Sequence, residues 1–137
     1  MSATVSYKCE FEAGYVQNSQ FHAHRYRVEV TVDGPERYKN QGQVIDYHVL
    51  AKFVKEICPD KCFLIGTDAV QEEIAVAECL KTCGVPINYR PHRLTIESFC
   101  ESLACELQDL LNRHEPCVRV IEVRLRETAD SAATWNL

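Results

Sequence analysis

Two histidines sit two residues apart, His22 and His24 in "QFHAHRYRVEVTVDG", residues 20–34. In an extended strand, residues i and i+2 point to one side, so both imidazoles can reach a single ion without any loop rearrangement. Zinc accepts such ligands at roughly 2.0–2.1 Å. The same spacing also suits a hydrogen-bonded histidine pair near a strand end. Glu127 is the second candidate. Its alternation with Ile121, Val123 and Leu125 puts it on the apolar side of a strand end, where an unpaired carboxylate is expensive. Its partner is either a nearby arginine or a ligand with a guanidine-like N–H edge, which one carboxylate can receive through two parallel bonds. Asp60 and Lys61 follow Pro59 at a helix end. There an aspartate is ordinarily a turn residue and a lysine ordinarily solvated, although a lysine can also act as a base or form a Schiff base with a carbonyl.

The elements that position these residues are legible from periodicity. Val5, Tyr7, Cys9, Phe11, Ala13 and Tyr15 alternate with polar residues, and so do His22, His24, Tyr26, Val28, Val30 and Val32. Period two marks half-buried strands, and the short link "VQNSQ" makes them an antiparallel pair. Both histidines and Tyr15 then share the apolar side. "GQVIDY" reads as a third strand. Asp46 caps a helix with the stripe Val49, Leu50, Phe53, Val54 and Ile57. The stretch 60–84 is less regular and holds a shorter helix ending before Gly84, and "VPINYR" reads as a strand. Thr95 caps a long helix, and "CVRVIEVRLRET" is the last strand. The class is α+β, an antiparallel sheet with helices on one side.

Bulk properties narrow the function. The chain has 137 residues, which suits one domain, 1–137, and 46% of them are apolar. The net charge is −5 with no basic stripe, so nucleic acid is not an expected partner. No apolar run is long enough for a membrane, and "MSATVSYK" lacks a signal-peptide core, so a cytoplasmic protein is expected. Eight cysteines form no C-x-x-C knuckle, and most read as reduced, buried small hydrophobes.

Six stretches, in order, resemble one family. "FEAGYV" is similar to a first-strand F-x-A-A-H motif, "FHAHRYRVEVTVDG" to L-H-G-H-N-Y-x-V-x-V-x-V-x-G, and "GQVIDYHVLAKFV" to G-x-V-x-D-F-x-x-L-K. "PDKCFLI" resembles L-D-H-x-x-L-N, "LTIESFCESLACEL" a P-T-x-E-N helix start, and "RLRET" a closing V-x-E-T. Together they resemble the 6-pyruvoyltetrahydropterin and 6-carboxytetrahydropterin synthases. That resemblance implies the tunnelling fold: a four-stranded antiparallel sheet with two main helices on one face, assembled edge to edge into a barrel as a homotrimer or homohexamer. It implies active sites between subunits, zinc on three histidines, and lyase-type chemistry on a reduced pterin.

Carried over by position, His22 and His24 match zinc ligands, Glu127 the pterin anchor, Thr95 a threonine near the pterin, and Asp60 the relay aspartate. Three positions depart. Tyr15 stands in place of the first zinc histidine, Lys61 in place of the relay histidine, and Asn18 nearest the expected cysteine. The expectation is a divergent enzyme acting on a pterin or similar heterocyclic or carbonyl substrate. Its zinc site is weakened or absent, no organic cofactor is needed, and Asp60 and Lys61 are its catalytic pair. A non-catalytic pterin-binding protein and an ordinary synthase with a rebuilt site are the alternatives.

Overall fold

The computed structural model describes residues 2–35 and 42–137. Along the chain run β1 (Ser2–Gln17), β2 (Gln20–Pro35), α1 (Tyr47–Ile57), β3 (Cys62–Gly66), α2 (Gln71–Thr82), β4 (Ile87–Arg90), α3 (Ile96–His114), β5 (Arg119–Arg126) and β6 (Ala132–Asn136). They build one sheet in the order β4-β3-β1-β2-β5-β6.

The β1–β2 hairpin carries most of the candidate residues. Its strands are joined by Asn18 and Ser19 at φ 52° and 64°. Both lie in the left-handed region, as a two-residue type I′ turn requires, and that turn matches the natural strand twist. Gln17 therefore pairs with Gln20, Tyr15 with His22, and Ala13 with His24. β5 runs antiparallel along the other edge of β2, with Arg126 opposite Arg27.

Two helices cover one sheet face. Asp46 caps α1 by accepting the His48 N–H at 2.7 Å. Thr95 and Ser98 form a reciprocal capping box at the start of α3, which satisfies N–H groups that have no partner within the helix. The apolar stripes of α1 (Leu50, Phe53, Val54) and α3 (Phe99, Leu103, Leu107) close on Phe11, Tyr26, Val30 and Leu125 of the sheet.

The sheet differs from the expected one in size and polarity. Among the described residues it has six strands rather than four, and β3 lies parallel to both β1 and β4. All five residues of β3 are buried. Cys62 and Leu64 enter the α1–α3 core, while Phe63 and Ile65 join Ala77 of α2 in a second cluster. Because neighbours along a strand face opposite ways, α2 covers the other side of the sheet. "GQVIDY" forms no strand beyond an isolated bridge at Gln43, although Val44 and Ile45 are buried. The end of β3 needs its glycine: a Cβ on Gly66 would lie 2.1 Å from the His92 carbonyl oxygen.

All eight cysteines are free thiols, but fewer are buried than expected. Cys58, Cys62 and Cys100 are buried and Cys9 half-buried, whereas Cys79, Cys83, Cys105 and Cys117 are exposed on helices or loops.

Candidate active site

The hairpin register brings Tyr15, His22 and His24 together on the helix-covered side of the sheet. The Tyr15 and His22 rings stack with centroids 5.1 Å apart, and His24 lies 6.0 Å from Tyr15 and 5.9 Å from His22. Glu127 reaches the same place from the far end of the sequence. Since Arg126 faces Arg27, the next residue falls level with Tyr26 and on its side of the sheet. The Glu127 N–H donates to the Ser131 carbonyl at 3.0 Å, closing the turn into β6.

One carboxylate oxygen of Glu127 gathers the cluster. The Tyr15 hydroxyl donates to Oε1 in a short hydrogen bond. His24 Nε2 lies 3.0 Å from the same oxygen. Burial raises the Tyr15 phenol well above the ordinary phenol range, and the Glu127 bond raises it further. Tyr26 is raised too, by burial first and then by the Glu127 charge. The carboxylate partner is thus a phenol and an imidazole, not the arginine that the sequence offered as an alternative. Beside it lies a cavity of about 250 Å³ bordered by Tyr15, Gln17, Tyr26, Thr95, Phe99 and Glu127. Gln17, Tyr26 and Phe99 were not singled out from the sequence; the shared parity of Tyr26 with His24 was the available signal.

Asp60 and Lys61 lie elsewhere in the chain. Asp60 Oδ1 accepts the Glu12 N–H at 2.8 Å, and the Lys61 N–H donates to the Glu12 carbonyl at 2.6 Å. Lys61, at φ 54°, borders a second opening of about 520 Å³ with Gly14, Phe21, Phe63 and Leu80, and of the cluster only His24 also lines it. Within one chain, Glu127, Thr95, Tyr15, His22 and His24 come together, and Asp60 and Lys61 do not join them. Asn18 is consumed by the hairpin turn.

The donor set does not fit a resident zinc ion. Ligation by Tyr15 requires loss of a proton that burial and Glu127 both hold in place. His24 Nε2 is committed to Glu127. That leaves His22 and the Nδ1 of His24, two imidazole donors, and among the described residues no group of three or more His, Cys, Asp or Glu is placed to hold a metal.

A curled sheet with its helices and a carboxylate at the closing end of a C-terminal strand defines an α+β protein of the tunnelling fold. The family model for 6-pyruvoyl tetrahydropterin synthase matches residues 4–136, and the chain belongs to that family. A catalytic-residue mutant of the Plasmodium vivax 6-pyruvoyltetrahydropterin synthase superposes with a TM-score of 0.71 at 15% identity, over 100% of this chain and 99% of that one. The Plasmodium falciparum 6-pyruvoyl tetrahydropterin synthase gives 0.62 at 17% identity, covering 99% and 98%. An uncharacterized Wolinella succinogenes protein gives 0.63 at 19% identity with the same coverage. No curated protein matches. No helix among the described residues is long and apolar enough to cross a membrane.

Proposed function

We propose that the chain, acting as one domain, is a divergent lyase-type enzyme of its family that takes a reduced pterin or a similar heterocyclic or carbonyl substrate. The observation that carries this reading is Glu127: a carboxylate only 12% exposed, fixed through Oε1 by Tyr15 and His24 and facing a cavity that Thr95 also borders. Oε2 remains to receive an N–H from the ring. Asp60 and Lys61 handle protons or a carbonyl, delivered to this cavity by a neighbouring copy, since they lie outside it in their own chain.

Glu127→Gln tests the anchor. It removes the charge and turns one acceptor into a donor, and losing a charge-assisted hydrogen bond costs roughly 1.5–3 kcal/mol, or about tenfold to hundredfold in affinity. Calorimetry with dihydroneopterin should show that loss with the fold intact; equal affinity removes Glu127 from the anchoring role.

The delivery of Asp60 and Lys61 requires assembly. Open sheet edges need partners, and pairing them between copies yields the trimer or hexamer expected of the family. Light scattering should find that species. A stable monomer at micromolar concentration would remove the shared site.

The commitment of Asp60 to the Glu12 N–H favours a second reading, a non-catalytic pterin-binding protein. Dihydroneopterin triphosphate bound in a Glu127-dependent manner but recovered unchanged would select it.

A further inference from the structure

A second chemical feature lies between β1 and the end of α1. Cys9 Sγ and Cys58 Sγ are 3.8 Å apart, in contact although 49 residues separate them in sequence. Cys58 caps α1, its N–H donating to the Val54 carbonyl at 3.1 Å. It is 9% exposed, whereas Cys9 is half-buried. The two sulfurs must approach from this contact to roughly 2.05 Å to form a bond.

We propose that Cys9 and Cys58 are a redox-active dithiol that takes a small disulfide of the glutathione class as its oxidant and closes to an intramolecular disulfide. Access sets the order of events. The Cys9 thiolate attacks one sulfur of the oxidant and expels the other as a thiolate, which takes up a proton. The buried Cys58 thiol then loses its proton to solvent and attacks Cys9 Sγ, releasing the second half of the oxidant. Two protein thiols become one disulfide, and one small disulfide becomes two thiols.

The surroundings favour Cys9 as the attacking sulfur: the Cys58 hydrogen bond lowers its pKa, and the positive charge of Lys55 lowers it further. Exchange depends on the thiolate fraction at ambient pH. Cys58 is itself pushed up, by its hydrogen bond with Cys9 and then by burial, so it acts second, once Cys9 is tied up in the mixed disulfide and that bond is gone. Burial pushes Cys62 and Cys100 each up to about 11, and neither has a sulfur partner in contact among the described residues.

The bond would fasten the end of α1 to β1 directly before Pro59, Asp60 and Lys61. That turn is already held to Glu12 by the Asp60 carboxylate and the Lys61 N–H. Oxidation therefore adds a covalent tether to the segment that carries the proposed catalytic pair.

The test uses the full chain with Cys79, Cys83, Cys105 and Cys117 changed to serine, and the unaltered chain in parallel should that variant not fold. Each is incubated with oxidised glutathione and mapped by mass spectrometry without reduction. The expected product links the Cys9 and Cys58 peptides, lacks two hydrogens, retains no glutathione and disappears in Cys9→Ser. Its unfolding midpoint rises by about 5 °C or more, because the closed loop is long. A stable glutathione adduct on Cys9, a Cys58–Cys62 link, or free Cys9 and Cys58 after treatment would each overturn the proposal.

Discussion

Phe99→Ala should destabilise the chain by about 3–5 kcal/mol, the range for truncating a buried aromatic side chain. Against a typical total of roughly 5–15 kcal/mol this is a large fraction. Phe99 is 2% exposed. Its ring meets Phe11 and Tyr26 edge-on at 5.9 and 5.6 Å, and the Arg90 guanidinium lies over it at 5.2 Å. Alanine removes all three contacts and leaves a hole that opens into the cavity beside Glu127. Arg90 then loses its apolar cover. It is 3% exposed, its NH2 nitrogen bonds Ser102 at 2.6 Å and Glu106 at 2.9 Å, and its Nε has no partner among the described residues. Urea unfolding should show a lower midpoint with an unchanged slope, and Phe99→Leu should lose much less. A loss under about 1 kcal/mol for alanine would mean that the ring does not hold the floor of the cavity.

Tyr15→His should create a zinc site. The centroid separations of 5.1, 6.0 and 5.9 Å place a point about 3.3 Å from all three rings. That matches a Zn–N bond of roughly 2.0–2.1 Å plus the distance of about 1.1 Å from an imidazole centroid to its nitrogen. Rotation of the rings would then turn a nitrogen of each toward one ion, His24 through Nδ1 while its Nε2 stays on Glu127. The substitution also removes the phenol that occupies Glu127 Oε1. Zinc affinity, measured by competition with a chromophoric chelator, should rise at least about 100-fold over the unaltered chain. No gain would show that the two histidines do not converge. Stoichiometric zinc surviving chelator dialysis in the unaltered chain would show that the phenol is no obstacle.

The hairpin and its inward residues were legible because period-two alternation is strict from Val5 to Tyr15 and from His22 to Val32. The register followed from the short turn. The capping residues Asp46 and Thr95 were readable for the same local reason. β3 was not: "CFLIG" is buried on both faces, so it carries no alternation to detect. "GQVIDY" misled because Val44 and Ile45 are apolar for packing and not for pairing. β6 was missed because "AATWN" is short and poor in β-branched residues. At the site, parity placed Glu127 on the correct side, but no local signal could name Tyr15 as its partner, 112 positions away.

That separation has a consequence for the order in which the protein comes into being. Tyr15, His22 and His24 lie within one hairpin and can meet soon after they are synthesised, since contacts close in sequence form early. Glu127 emerges 112 residues after Tyr15 and joins them only when β5 zips onto β2 and the chain turns at Ser131. A nascent or C-terminally truncated chain thus holds an aromatic and imidazole cluster without the carboxylate that organises it. The site is complete only once the chain has been made past Ser131.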